Sequence, residues 1–332
     1  MSQMRYWWVN QNQTFAKESG GNYLWSPKRN KNGARNRFYD NMRVVIPGDI
    51  IFSFVGGYIR AISIVQSYCY EAPKPEEFGG VGENWAAIGW RVNAGYHHLE
   101  HPIKPSAHID RIRPLLPPRY APLTGAGNGL QGVYLAEIPT ELAQLLADLI
   151  GQQAQPLLRI AHQTPALLLE AAAMPSALEV KERWEGREID HIRDAGITET
   201  EKDALIRARR GQGRYRARLL EIEHECRITH ISNPDYLIAS HIKPWRHSSN
   251  DERVDGENGL MLCPNIDLLF DNGFISFENN GDIILSPVAD NDVLARMQVR
   301  TDERVNVGGF SSGQKHYLEF HRNDVLLKVQ SA

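Results

Sequence analysis

Short apolar runs bounded by turn residues dominate the first part of the chain and predict strands. Arg5 to Val9 reads as a first strand. Ile50 to Phe54 follows the turn Pro47-Gly48-Asp49 and pairs through Gly56-Gly57 with Tyr58 to Val65. Trp85 to Val92 and Gln131 to Ala136 read as further strands, whereas the stretch 102–128 is rich in Pro and Gly and should be irregular. The texture changes at Pro139-Thr140-Glu141, a helix start with Thr140 as N-cap, because Leu142, Leu145, Leu146 and Leu149 then fall on one helical face. Ala-, Leu- and Gln-rich sequence to about Val180, then charged sequence over 181–206, predicts connecting helices. Beyond Arg207, Cys226 to His230 and Tyr236 to His241 read as a hairpin joined by Ile231-Ser-Asn-Pro-Asp235. A polar loop, Ser248 to Glu257, leads to Asn258-Gly-Leu-Met-Leu262. A helix Asn265 to Asn272 follows, capped by Asn265 and stopped by Gly273, and then a hairpin Phe274 to Leu285 around Asn280-Gly281. The reading is α+β: a partly open β-barrel over 1–138, a helical connector over 139–206 and a third segment over 207–332.

Composition and charge adjust this picture. A chain of 332 residues suits two domains and a connector, and 42% hydrophobic residues exclude bulk disorder. No apolar run approaches the ~18 residues of a membrane span, and the start lacks a signal peptide's apolar stretch, so a reduced, cytoplasmic protein with no membrane partner is expected. Cys69, Cys226 and Cys263 include no C-x-x-C pair, which disfavours a disulfide framework and a zinc site. A formal charge of −3 gives no sign of a nucleic-acid partner, but it is an average over segments. Arg207, Arg209, Arg210, Arg214, Arg216 and Arg218 crowd together without an acid among them. Lys28, Arg29, Lys31, Arg35, Arg37 and Arg43 are opposed only by Asp40. Both runs suit phosphate oxygens, as do Lys243 and Arg246.

The chemistry concentrates in the third segment. Asp267 and Asp271 are four residues apart on the expected helix and share a face, beside the apolar stripe Ile266, Leu269 and Phe270. Two carboxylates facing His241 suit a divalent cation with hard oxygen ligands. A neutral imidazole there can deprotonate water while the cation stabilises charge on a phosphate.

The ordered pieces Cys226-Arg-Ile-Thr229, Ala239-Ser-His-Ile-Lys-Pro-Trp245, Asn258-Gly-Leu-Met-Leu262 and Asn265-Ile-Asp-Leu-Leu-Phe-Asp-Asn-Gly273 resemble an HNH endonuclease domain of the ββα-metal type. They are most similar to the branch found in restriction enzymes, and Tyr317-Leu-Glu-Phe-His-Arg322 resembles the end of that branch. The resemblance implies His241 as general base, Asn258 as the residue orienting it through the loop backbone, and one divalent ion, Mg²⁺ or Mn²⁺, per site. The third letter of the motif falls on Asp267 rather than a histidine. Asp267 is the first candidate metal ligand, Asp271 the second and Ser240 the third.

Five of the seven tryptophans, Trp7, Trp8, Trp25, Trp85 and Trp90, lie in the first 90 residues. Tyr6-Trp-Trp-Val9, Tyr23-Leu-Trp-Ser26, Pro47 to Phe54 and Trp85 to Val92 resemble the EVE, YTH and wider PUA-like group of modified-base readers. That resemblance implies a flipped base held between aromatic walls. Trp25 and Trp85 are the first candidates for walls, with Phe54 and Tyr23 to complete the pocket and Ser26 or Ser53 to read the base edge. Together the two resemblances imply a modification-dependent restriction endonuclease acting on double-stranded DNA that carries 5-methylcytosine or 5-hydroxymethylcytosine. A homodimer would cut both strands. The alternatives are a sequence-specific HNH enzyme or nickase reading unmodified DNA, and a non-catalytic reader of modified nucleic acid.

Overall fold

Tyr6–Asn10 (β1) is apolar on both faces, and Trp7 and Trp8 are fully buried because strands flank it on each side. The computed structural model describes residues 5–161, 177–209 and 213–328. The chain divides into two compact units, one reaching Lys181 and the other Glu182–Leu327. The helical sequence between the sheet and the nuclease-like segment is therefore shared between them.

In the first unit β1 pairs in parallel with β3 (Ile50–Val55) and antiparallel with β7 (Leu135–Ile138). The remaining strands are β2 (Tyr23–Pro27), β4 (Tyr58–Val65), β5 (Tyr70–Pro73) and β6 (Ile88–Ile103). Among the described residues these seven form one curled sheet in the order β2-β6-β4-β3-β1-β7, with β5 also on β6. The β3–β4 hairpin closes through Gly56 and Gly57, whose φ values of +60° and +88° match the turn that suits strand twist. Register shifts at Ser53/Phe54 and Ile59/Ala61 add the local twist that curls the sheet. The long β6 serves two neighbourhoods: Gly89 to Asn93 pair with β2, while Ala94 to Ile103 pair with β4. The helix Thr140–Ile150 packs on β6 and adds Leu142, Ala143, Leu146 and Ile150 to the buried core that also holds Ile50, Phe52 and Ile62. Pro139, not Thr140, occupies its N-cap position, so Thr140 is its first residue and not the expected cap. Trp85 precedes β6, and β7 begins at Leu135, later than the pattern suggested.

In the second unit the helices Glu199–Arg209 and Gly213–Leu220 lead to the nuclease-like segment. Its first hairpin differs from the expected one. Cys226 to His230 forms no strand: Cys226 N–H donates to Ile231 O at 2.9 Å and His230 N–H to Cys226 O at 2.7 Å, closing a tight loop. Instead β8 (Ile238–His241) pairs antiparallel with β9 (Gly259–Leu262), joining Ser240 to Leu260 and His241 to Gly259. Pro234 opens a short 3-10 turn ahead of β8, and fully buried β9 offers the apolar partner that the polar 226–230 stretch lacks. The helix Pro264–Asp271 follows, with Cys263 rather than Asn265 at its N-cap and Gly273 in the left-handed conformation just beyond its end. The second hairpin, β10 (Ile275–Phe277) with β11 (Ile283–Leu285), turns at Asn280-Gly281 as the sequence predicts. The helix Ser312–Asp324 starts with a capping box between Ser311 and Gln314.

Phe270 anchors this core. It lies flat on the buried His321 imidazole at 3.8 Å and tilted against Phe277 at 5.6 Å. Replacing it by Ala should cost about 3–5 kcal/mol, read as a lowered denaturant midpoint for the unfolding of the second unit.

Candidate active site and nucleic-acid interface

His241 closes β8, and its half-buried ring is held on two sides. The Tyr215 ring stacks on it at 4.1 Å with an interplanar angle of 4°. Nε2 lies 3.0 Å from the Arg253 carbonyl oxygen, which can only accept, so Nε2 carries a proton and, in the neutral imidazole, Nδ1 has the lone pair. Arg253 is itself fixed: its Nε donates to Trp245 O at 3.0 Å, its guanidinium lies over the Trp245 ring, and Glu188 pairs with it at 3.5 Å.

Asn258 is fully buried and organises the loop between β8 and β9. Its Oδ1 accepts from Lys243 N–H at 2.8 Å. Its Nδ2 donates to Glu252 O at 3.0 Å, and to Lys243 O and Ser248 Oγ at 3.3 Å each. The loop turn that presents the Arg253 carbonyl is thus pinned by Asn258 and by the capping box of Ser249 and Glu252. Tyr215, absent from the expected site residues, ties these parts together. Its hydroxyl is shared between Ser240 O at 3.1 Å and Asn258 O at 3.2 Å. Burial, and then the charges of Asp267 and Asp255, push that hydroxyl's pKa well above the ordinary phenol value. Asp267 therefore lies close enough to act on the residue stacked against His241. Asp271 is one helical turn further on, and Ser240 is buried next to the base in β8. Among the described residues no three His, Cys, Asp and Glu side chains converge as a metal-holding group.

A family model described as HNH endonuclease matches residues 226–278. This stretch is an HNH endonuclease domain. No curated protein matches the chain. Among solved structures, the N-terminal domain of Staphylothermus marinus McrB is 15% identical, with 44% of this chain and 95% of that one covered at a TM-score of 0.28. A hypothetical protein from Leishmania major is 8% identical, covering 46% and 97% at a TM-score of 0.32. The Pho92 YTH domain solved in complex with m6A is 11% identical, covering 44% and 86% at a TM-score of 0.29. No helix among the described residues is long and apolar enough to cross a membrane.

The arginines around the HNH domain divide by environment. Arg214 and Arg218 are exposed and line a cavity of about 220 Å³ with Asn250 and Asp251, and Arg218 donates to Val254 O at 3.1 Å. Arg216 is turned to the backbone, donating to Leu237 O at 3.1 Å and Pro234 O at 2.6 Å. Arg207 and Arg209 fall on the Glu199–Arg209 helix with side chains outside the described part of the structure, and Arg210 lies outside the described residues. Lys243 makes both bonds to the Glu252 carboxylate at 2.7 Å, and Arg246 lies over Trp184 at 5.3 Å.

In the first unit a second cavity of about 220 Å³ is lined by Trp25, Ser26 and Trp85, together with Asn10, Gln11, Tyr39 and Tyr134, among others. Trp25 and Trp85 stand 6.1 Å apart at 31°. Tyr23, Phe54 and Ser53 are not among its lining residues, because each is committed to the interior. Tyr23 packs on Phe78 and donates its hydroxyl to Glu77 at 2.7 Å, Phe54 packs on Trp8, and Ser53 is fully buried in β3. Beneath the cavity the fully buried Glu18 accepts from Trp25 N–H at 2.7 Å, Tyr134 hydroxyl at 2.6 Å, Thr14 hydroxyl at 2.6 Å and Gln11 Nε2 at 2.8 Å. Burial raises its pKa above the ordinary carboxyl range against these donors. The basic run after Trp25 is drawn partly inward. Lys28 pairs with Glu71 over the Trp90 ring, and Arg35 and Arg43 both face Asp40. Arg37 lies over Tyr120, Arg29 reaches Gly33 O, and Lys31 is exposed.

Two substitutions separate the clamp from the stack. Asn258→Ala should lower stability by about 2–4 kcal/mol, because it leaves buried backbone groups unpaired, and thermal unfolding reads that loss. Tyr215→Phe keeps the stack and removes only the shared hydroxyl, so about 1 kcal/mol is expected. Tyr215→Leu should cost more, and should broaden the His241 ring resonances in NMR spectra.

Proposed function

We propose that the chain is a modification-dependent DNA endonuclease whose first unit reads modified cytosine and whose HNH domain hydrolyses a nearby phosphodiester. The observation that carries the nuclease half is the fixed tautomer of His241. With Nε2–H held by the Arg253 carbonyl, Nδ1 is the nitrogen able to take a proton from an attacking water. Tyr215 holds the ring plane, and Asn258 holds the loop that supplies the carbonyl. Asp267 is the first carboxylate to hold a divalent cation, Mg²⁺ or Mn²⁺, with Asp271 and Ser240 as further candidates. Mg²⁺ is commonly held by one or two carboxylates plus substrate phosphate and water, so one or two carboxylates of the Pro264–Asp271 helix fit it without a three-ligand protein cluster. When bound, the ion would stabilise charge developing on the scissile phosphate.

The reader half is supported by the cavity that Trp25 and Trp85 help to line, which is smaller than a drug-sized site and suits one heterocycle. In this reading 5-methylcytosine or 5-hydroxymethylcytosine leaves the duplex and stacks there. The exposed Arg214, Arg218 and Lys31 then meet backbone phosphates. One HNH site cuts one strand, so a homodimer would complete a double-strand break. The biological setting would be restriction of modified foreign DNA, such as that of phage.

Matched plasmids carrying cytosine, 5-methylcytosine or 5-hydroxymethylcytosine test this with Mg²⁺ or Mn²⁺ present. Cleavage of a modified plasmid and sparing of the plain one is expected, while equal cutting of all three would overturn modification dependence. His241→Ala should slow cleavage by about 10²–10⁴-fold with DNA binding retained in a gel-shift assay. Full cleavage by that variant would remove His241 from the mechanism.

A further inference from the structure

We infer that Gln11 is the specificity-determining residue of the first-unit cavity, and that it selects a base bearing an exocyclic amine. The inference rests on the proposed base-reading role of that cavity and names the edge of the base that is read.

Gln11 and Ser26 both line the cavity, and each is only 1% exposed. Each also carries a buried oxygen, Gln11 Oε1 and Ser26 Oγ, with no hydrogen-bond partner among the described residues. Buried polar atoms are almost always paired, so two unpaired oxygens on residues lining one cavity call for a partner that enters it. The orientation of the Gln11 amide is fixed from behind. Its Nε2 donates to Glu18 Oε2 and to the Tyr96 hydroxyl oxygen, both at 2.8 Å. In either protonation state of Glu18, a carboxyl oxygen remains to accept from that amide. Glu18 is held in turn by Thr14, Tyr134 and the Trp25 backbone, so the amide cannot rotate without unpairing a buried group. Oε1 is therefore the atom left for a ligand, and it can only accept.

An acceptor distinguishes cytosine from thymine. Cytosine presents an N4 amino donor where thymine presents an O4 acceptor, so a 5-methylated base with O4 would set oxygen against oxygen. The Ser26 hydroxyl donates or accepts by rotation, so it adds affinity for the ring edge without choosing between the two. Methyl recognition and amine recognition are thus separate properties of the cavity.

The test uses the full chain without divalent cation and duplexes with one central 5-methylcytosine, thymine or cytosine opposite an abasic site, so that each base opens unpaired. Fluorescence anisotropy should show 5-methylcytosine bound at least ~10-fold more tightly than thymine. Gln11→Met should bring that ratio close to one while 5-methylcytosine stays preferred over cytosine. Ser26→Ala removes no existing hydrogen bond, so it should fold normally and weaken both methylated bases by the same factor. Thymine bound as tightly as 5-methylcytosine, both above cytosine, would overturn the inference and leave the base-reading role standing. Equal binding of all three bases would overturn that role itself. A Gln11→Met protein that melts early leaves the wild-type comparison of 5-methylcytosine with thymine to decide, and a Ser26→Ala protein with unchanged affinities would remove Ser26 from the site.

Discussion

The Asn258 amide is fully buried and has both its ends committed to the loop between β8 and β9, accepting from Lys243 N–H and donating to the Lys243 and Glu252 carbonyls. Everything proposed for His241 passes through that loop. The carbonyl that fixes its tautomer belongs to Arg253, one residue beyond Glu252. A buried amide with several partners is costly to disturb, because each group left unpaired forfeits about 1–3 kcal/mol. The loop, anchored also by the buried Ile242 and Trp245, is thereby restrained where it holds His241, the proposed base, in place. Tyr215 extends the restraint across the strands, since one hydroxyl touches the carbonyl before His241 and the carbonyl of Asn258 itself.

The first unit solves a similar problem with a carboxyl group. Glu18 gathers a strand N–H, two hydroxyls and an amide around one buried side chain. Burying a carboxyl is unfavourable, and its raised pKa expresses that cost. Four donors offset it, and they hold Gln11, Trp25 and Tyr134 in fixed relation around the cavity. In both units, then, a buried polar hub sets the positions of the side chains proposed to act, while apolar packing supplies the stability that tolerates it.

Much of this was legible in the sequence because it was local. The Gly56-Gly57 hairpin, the Thr140–Ile150 helix and the Asn280-Gly281 turn each follow from a few adjacent residues. The ordered spacing of His241, Asn258 and Asp267 pointed to an HNH domain for the same reason, as one motif read in one pass. What failed was pairing at a distance. A nearby turn suggested that 226–230 would pair with 236–241, whereas β8 takes its partner from beyond a loop because β9 is the more apolar strand. Tyr215 lies inside an arginine run, and nothing in the charge pattern of that run marks its one aromatic residue as the support of a histidine. Gln11 follows a strand in a stretch of Asn, Gln and Thr that looks like an ordinary polar turn, and only the packing around Glu18 distinguishes it.

Charge is likewise decided by packing at a distance. Clusters of Lys and Arg suggest phosphate contacts because guanidinium and ammonium groups suit them, but the same groups also fix backbone when carbonyls or carboxylates lie nearby. Arg216 holds the approach to β8, Arg253 holds the carbonyl behind His241, Lys243 pairs with Glu252, and Lys28 and Arg43 lie against Trp90. Each of these charges is partly neutralised or buried, so it contributes less to long-range attraction than its count implies. The surface available to a polyanion is therefore narrower than the two basic runs suggest, and is led by exposed residues such as Lys31, Arg214 and Arg218. A net charge of −3 is compatible with nucleic-acid binding on that account, because recognition then rests on where a few exposed cations sit and on how firmly the inward-turned ones hold the site.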